Sequence, residues 1–174
     1  GKAMQQGTTN RPEFSHIEGY EDHSVNLLYT WDMDSNLTGI IINVASPSQV
    51  ARQEYLISAD FWHETRLEVR KRFGDGVFIL PQCASAGDQM PHIMVGEKAE
   101  KRMQQIMFSD TIKTGNLSLG LRKSVALRLA DAVTSVYKYM KDNIIWDPAF
   151  EHRMERVELS RRLTEWSMNL ETNA

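Results

Sequence analysis

A chain of 174 residues that is 41% hydrophobic and 25% charged has the make-up of an ordinary globular domain with a sizeable core. Its formal net charge of −3 argues against a nucleic-acid binder driven by phosphate neutralisation. No run approaches the roughly 18 apolar residues of a transmembrane helix, and Cys83, the single cysteine, excludes an intramolecular disulfide.

Residues 1–24 are polar and without periodicity and read as an irregular segment, although Phe14 and Tyr20 lie within it. Val25 to Asp32 is rich in strand formers, and Met33 to Asn36 is a turn cluster. Leu37 to Ala45 is a continuous apolar run, so the two segments read as neighbouring antiparallel strands, the second interior to a sheet. Ser58 or Asp60 caps a helix that runs to Phe73 and buries Phe61, Leu67 and Val69; Gly74 stops it. Val77 to Pro81 reads as a third strand, parallel to the second after a helical crossover.

Gly96 to Met107 reads as a helix, followed by a polar linker from Ser109 to Ser118. Leu119 to Asn143 is the most strongly periodic segment. Leu121, Val125, Leu129, Val133, Val136, Met140 and Ile144 recur at spacings of three and four and make one apolar face. Tyr137 and Tyr139 of this helix are expected in the core. Trp146-Asp147-Pro148 ends it, Met154 to Leu159 reads as a further strand, and Thr164 to Leu170 as a short terminal helix. The fold class is therefore α/β: a mixed, largely parallel sheet with flanking helices, within a single domain or a fragment of one.

Strand–helix–strand order places Ser46 and Ser85 at equivalent carboxyl ends of neighbouring parallel strands, where open α/β sheets bind ligands. The loop after the third strand, Leu80-Pro-Gln-Cys-Ala-Ser-Ala-Gly-Asp-Gln-Met-Pro-His92, is built of small residues that let a ligand approach the backbone. Asp88 and His92 supply a carboxylate able to orient an imidazole, and Ser85 a hydroxyl beside them. Gly87-Asp88 is equally ordinary turn chemistry. Cys83, at the strand end, is expected to be buried. Upstream, His16-Ile-Glu-Gly-Tyr-Glu-Asp-His23 gathers imidazoles, carboxylates and a phenol. Its Asp22 and His23, together with His92, are candidate zinc ligands; the alternative is a solvated loop in which Asp22 and His23 fix the entrance to the first long strand. His63 and His152 read as packing or surface residues.

Gly87-Asp88-Gln89-Met90-Pro91 resembles the Gly-Asp-x-Ser-Pro motif of the neutral/alkaline (non-lysosomal) ceramidases, zinc amidases that cleave the N-acyl bond of ceramide. The segments His16 to His23, Leu37-Thr-Gly-Ile-Ile-Ile-Asn-Val-Ala-Ser-Pro-Ser-Gln49 and Ser58-Ala-Asp-Phe-Trp-His-Glu-Thr-Arg66 are similar, in the same order, to bacterial ceramidase-related proteins. The resemblance implies part of a larger ceramidase-like N-terminal domain, an N-acyl amide substrate contacted by Ser46, Gly87 and Met90, and a zinc cofactor. It also implies, as a partner, an upstream part of the same protein. Two positions depart from the family. Its nucleophilic serine is Met90 here, and a thioether has no proton to lose. A zinc-binding histidine is replaced by Pro47, which has no ligand atom.

A lipid or other small-molecule amide is therefore the expected substrate. Hydrolysis of another polar or carbohydrate substrate by Asp88, His92 and the His16 to His23 cluster, with water as nucleophile, is the second expectation, and a non-catalytic binding module the third. Compartment is left open: a secreted or periplasmic chain would show no trace of a removed signal peptide.

Overall fold

The computed structural model describes residues 2–4, 9, 12–17, 19–52, 54, 55, 57–87, 89–91, 93–109 and 117–159. The chain divides into two units, residues 1–143 and 144–174.

The first unit is organised by a mixed three-stranded sheet. Strands β3 (Val25–Trp31), β4 (Leu37–Val44) and β5 (Phe78–Cys83) lie in that order, with β4 antiparallel to β3 and parallel to β5. The apolar run at 37–44 is thus the central strand, as its double-sided hydrophobicity requires. The β3–β4 turn is held by Asp32, whose Oδ1 accepts the Asp34 and Asn36 amides at 3.0 and 2.8 Å. These bonds, led by those from Asn36, lower the pKa of Asp32. Two short strands, β1 (Lys2–Met4) and β2 (Phe14–Ile17), pair in parallel. The expectation of an irregular stretch before residue 25 is corrected there: backbone pairing needs no side-chain alternation, so a polar sequence gave no sign of it.

Helix α1 (Phe61–Phe73) bridges β4 and β5. Helix α2 (Glu97–Met107) follows the loop after β5, and α3 (Leu117–Lys141) completes the unit. Asp60 caps α1, its Oδ1 accepting the Phe61 amide at 2.8 Å and its Oδ2 the Ala51 amide at 2.7 Å. Asp60 holds a positive φ of 54°, unfavourable for a residue with a Cβ, and those two bonds offset that cost. Gly74 ends the helix at φ 106°, its amide bonding Arg70 O at 2.7 Å.

One face of the sheet carries the core. Ile40, Ile42 and Val44 of β4 and Ile79 of β5 pack with Phe61, Trp62 and Val69 of α1 and with Leu129, Ala130 and Val133 of α3. Tyr29, Trp31, Phe73 and Tyr137 form an aromatic cluster at one end, with Tyr137 4.8 Å from Phe73 and 5.6 Å from Trp31, centroid to centroid. Tyr137 packs as expected, whereas Tyr139 is exposed, because two residues along a helix turn the side chain to the far side. Leu67 is also exposed, correcting its place in the α1 stripe; Thr65 is buried instead, its hydroxyl bonded to Phe61 O at 2.8 Å. A helix burying 61, 62, 65 and 69 leaves 67 on the opposite face.

Among the described residues, the other sheet face is open. Its rows read straight across the three strands: Leu28–Ile41–Leu80, Thr30–Gly39–Phe78 and Asn26–Asn43–Gln82. Leu28 and Phe78 are more than half exposed. Gly39 sits where strands crowd: a Cβ there would lie 2.9 Å from Thr30 Oγ1 and 3.3 Å from Phe78 O.

Tyr29 ties sheet to helix, its hydroxyl donating to Val133 O at 2.6 Å. Burial, then the neighbouring Tyr137, pushes the Tyr29 phenol up to about 12 from 10.0. A phenol with a raised folded-state pKa favours the folded state while neutral. Its contribution is present in full below pH 10.0 and is lost as pH rises through about 12. Urea midpoints across that window are expected to fall with pH in the parent and to fall less steeply in Tyr29→Phe.

In the second unit, residues 144–159 form neither helix nor strand. The strand expected at Met154 to Leu159 is corrected: Met154, Val157 and Leu159 are exposed, so nothing rewards an extended pairing. The helix expected at Thr164 to Leu170 lies outside the described residues.

Candidate functional site

The parallel register of β4 and β5 pairs Val44 with Cys83, which sets Ser46 and Ser85 two residues beyond equivalent strand ends. Val44 O holds both loops at their start, accepting the Ser46 amide and the Ala84 amide, each at 2.9 Å. Ser46 and Pro47 are half-buried, and Pro47 O accepts the Gln49 amide at 2.9 Å in a tight turn. Ser85 and Gly87 are exposed and Met90 half-buried, around a turn closed by the Gln89 amide on Ala86 O at 3.2 Å. Asp88 and His92 lie outside the described residues. Cys83 is exposed, correcting the expectation of burial; it closes β5, the strand at the edge of the three-stranded sheet.

The upstream His/Glu/Asp loop lies beside this edge. The Gln89 side-chain amide donates to Tyr20 O at 3.4 Å, and the Thr9 hydroxyl donates to Met94 O just beyond. Segments separated by most of the β sheet in sequence are therefore adjacent. Within the loop, Tyr20 meets His23 edge-on with centroids 6.4 Å apart, and His23 Nε2 is 4.0 Å from Glu21 Oε2. Asp22 Oδ1 accepts the Ser24 amide at 2.9 Å, and the hydrogen bonds from Ser24 hold its carboxyl below the ordinary range. This Asx turn directs the chain into β3, the entrance role that the sequence allowed for Asp22. His16 is exposed on β2, its Nδ1 2.7 Å from Ser15 Oγ.

The donor types of Asp22 and His23 suit zinc. Among the described residues, however, no group of three His, Cys, Asp or Glu side chains converges on one point. His92, the third member of the expected set, lies outside them. His63 and His152 are exposed, in keeping with surface roles.

One group that sequence reading passed over supports this edge from behind. Arg122 of α3 is 9% exposed and reaches across to the loop following β4 and to α1: its Nη1 lies 3.8 Å from Glu64 Oε1 and 3.4 Å from Ser58 Oγ. Ser58 Oγ accepts the Asp60 amide at 3.0 Å, and Asp60 in turn holds Ala51. Ser118, one turn before Arg122, donates to Glu54 of the same loop. The signal was present in the sequence. Arg122 falls at helical spacing with Val125, Ala126 and Leu129, so a cation was bound to enter the buried face and require a partner.

No known protein-family profile, curated protein or solved structure matches the chain.

Proposed function

We propose that the chain carries the substrate-facing edge of a ceramidase-like hydrolase acting on the amide bond of an N-acyl lipid. The observation that carries this reading is the contact of Gln89 with Tyr20. It sets the two blocks that resemble the ceramidases, residues 16–23 and 87–91, side by side at the carboxyl end of parallel strands. Ser46, Gly87 and Met90 contact the substrate. Asp88 orients His92, and His92 takes a proton from the attacking group as that group adds to the carbonyl carbon. With a thioether at position 90, the attacking group is water, or the Ser85 hydroxyl in a covalent variant that water then resolves. The carbon–nitrogen bond breaks, the proton passes from His92 to the leaving amine, and a fatty acid and an amine result. Were Asp22, His23 and His92 to hold zinc instead, the metal would supply a Lewis acid for the carbonyl, and His92, its second nitrogen then ligated, would leave the base role to a metal-activated water.

The test is release of fatty acid from an N-acyl amino-alcohol lipid, followed by mass spectrometry, with a polar glycoside as the competing substrate. Fatty-acid release is expected in the parent. It should rise in Met90→Ser, which restores a hydroxyl, and fall about tenfold or more in His92→Ala. Cleavage of the glycoside alone would transfer the edge to the second class of substrate, and release unaffected by His92→Ala would remove His92 from the chemistry.

A further inference from the structure

Helix α2 is mounted with its polar side inward. Along it, residues four apart form parallel rows. Glu100 and Gln104 make the row against α3. Glu100 bonds Ser124 Oγ at 2.8 Å and Arg128 Nη2 at 2.8 Å, and Gln104 is buried beside Gly120. Burial raises the pKa of Glu100, but its hydrogen bonds from Ser124 and Gln104 and the charge of Arg128 outweigh this and leave it lowered, so an ionised carboxylate fastens the helix. The next row, Ala99–Met103–Met107, and the one beyond it, Lys98–Arg102–Ile106, both face away from α3. Met103, Ile106 and Met107 are each more than half exposed, as is Val95 just before the helix.

The charges around this apolar face are one-sided. Glu100 is turned to Arg128, and Glu97 is neutralised by Lys101 at 2.6 Å. Lys98 and Arg102 make no ion pair among the described residues and border the Met103–Ile106–Met107 surface. At the far end of the helix Lys123 stands 5.8 Å above the Phe108 ring. An apolar face edged by Lys98 and Arg102 on one helix is the pattern of an interfacial helix. The side chains enter the acyl boundary, and the cations remain with head-group phosphates. Methionine suits the task, because its unbranched thioether adapts to a fluid, irregular partner. A bilayer with anionic head groups matches both the apolar rows and the cations beside them.

We infer that α2 docks the chain on a lipid surface bearing anionic head groups, through Met103, Ile106 and Met107 with Lys98 and Arg102 at the margin. The inference stands on α2 alone and holds whether or not the chain hydrolyses an amide.

Vesicle flotation tests it, with phosphatidylcholine vesicles lacking or containing phosphatidylglycerol. The full chain is expected to float with the anionic vesicles, less so at high salt. Partitioning should fall about tenfold or more in Met103→Glu/Ile106→Glu and in Lys98→Glu/Arg102→Glu, with far-ultraviolet circular dichroism unchanged because all four positions are exposed. An Ile106→Trp variant should shift its emission to the blue on adding anionic vesicles. Absence of flotation would overturn the inference. So would flotation that persists in both double variants, or a dimer in sedimentation equilibrium that Ile106→Glu dissolves, which would assign the face to a second copy of the chain.

Discussion

Arg122→Ala is expected to destabilise the first unit by about 3–5 kcal/mol, because it strands the Glu64 carboxylate in a site where both side chains are only 10% exposed. The pair is not an efficient one even when intact. Its closest approach is 3.8 Å, and Glu64 Oε2 and Arg122 Nε are buried without a hydrogen-bond partner among the described residues. Desolvation has been imposed on two ions whose geometry returns little of it. The double replacement Glu64→Leu/Arg122→Met is therefore expected to be near neutral or stabilising, in contrast to the single change. Urea unfolding of the four corners of this cycle measures both numbers. A large loss in the double variant would mean that the contact of Arg122 with Ser58, and through it Asp60 and Ala51, carries the energy instead. In that event the loop bearing Ser46 and Pro47 should become more susceptible to proteolysis before global unfolding.

The second large effect belongs to Phe61. It is fully buried, touches the Trp62 ring at a centroid distance of 4.9 Å, and occupies the first turn of α1 beneath β4. Phe61→Ala should cost about 3–5 kcal/mol through lost transfer energy and the cavity left in a core that cannot fully close. Phe61→Leu, which keeps most of the volume, should cost clearly less. The urea midpoint should drop with the slope unchanged. A loss of 1 kcal/mol or less, within about the error of such measurements, would show that the cap at Asp60, rather than the ring, anchors the helix.

Both residues bear on the proposed site through the same piece of chain. The loop from Ala45 to Asp60 is fixed at one end by β4 and at the other by the α1 cap and Arg122. Its position relative to the loop after β5 is thus set by core packing and one buried ion pair. A site at the carboxyl edge of β4 and β5 inherits its precision from elements that never touch substrate.

Much of this architecture was legible in the residues. The isoleucine run of β4, alternating strand formers in β3, the Asp60 cap with the Gly74 stop, and the three-and-four spacing along α3 each carry local physics that survives into the fold. From strand–helix–strand order alone, Ser46 and Ser85 could be placed at equivalent strand ends, and the register of Val44 with Cys83 puts them there. What periodicity could not convey was which surface would find a partner. Leu67, Tyr139 and Cys83 have residue types typical of interiors, yet they are exposed: the two helical residues fall on the faces turned from the core, and Cys83 closes the edge strand β5.

The sequence by itself determined the types of β3 to β5 and of the three helices, the central position of β4 and the chemistry available at the loops, since these depend on backbone propensity and on side chains acting within a few residues. Tertiary structure alone decided that Glu64 and Ser58 are the partners Arg122 meets, the approach of Tyr20 to Gln89, and the outward mounting of the apolar side of α2. Each depends on contacts between distant segments, whose free energies are set by packing and desolvation in three dimensions and leave no periodic trace along the chain.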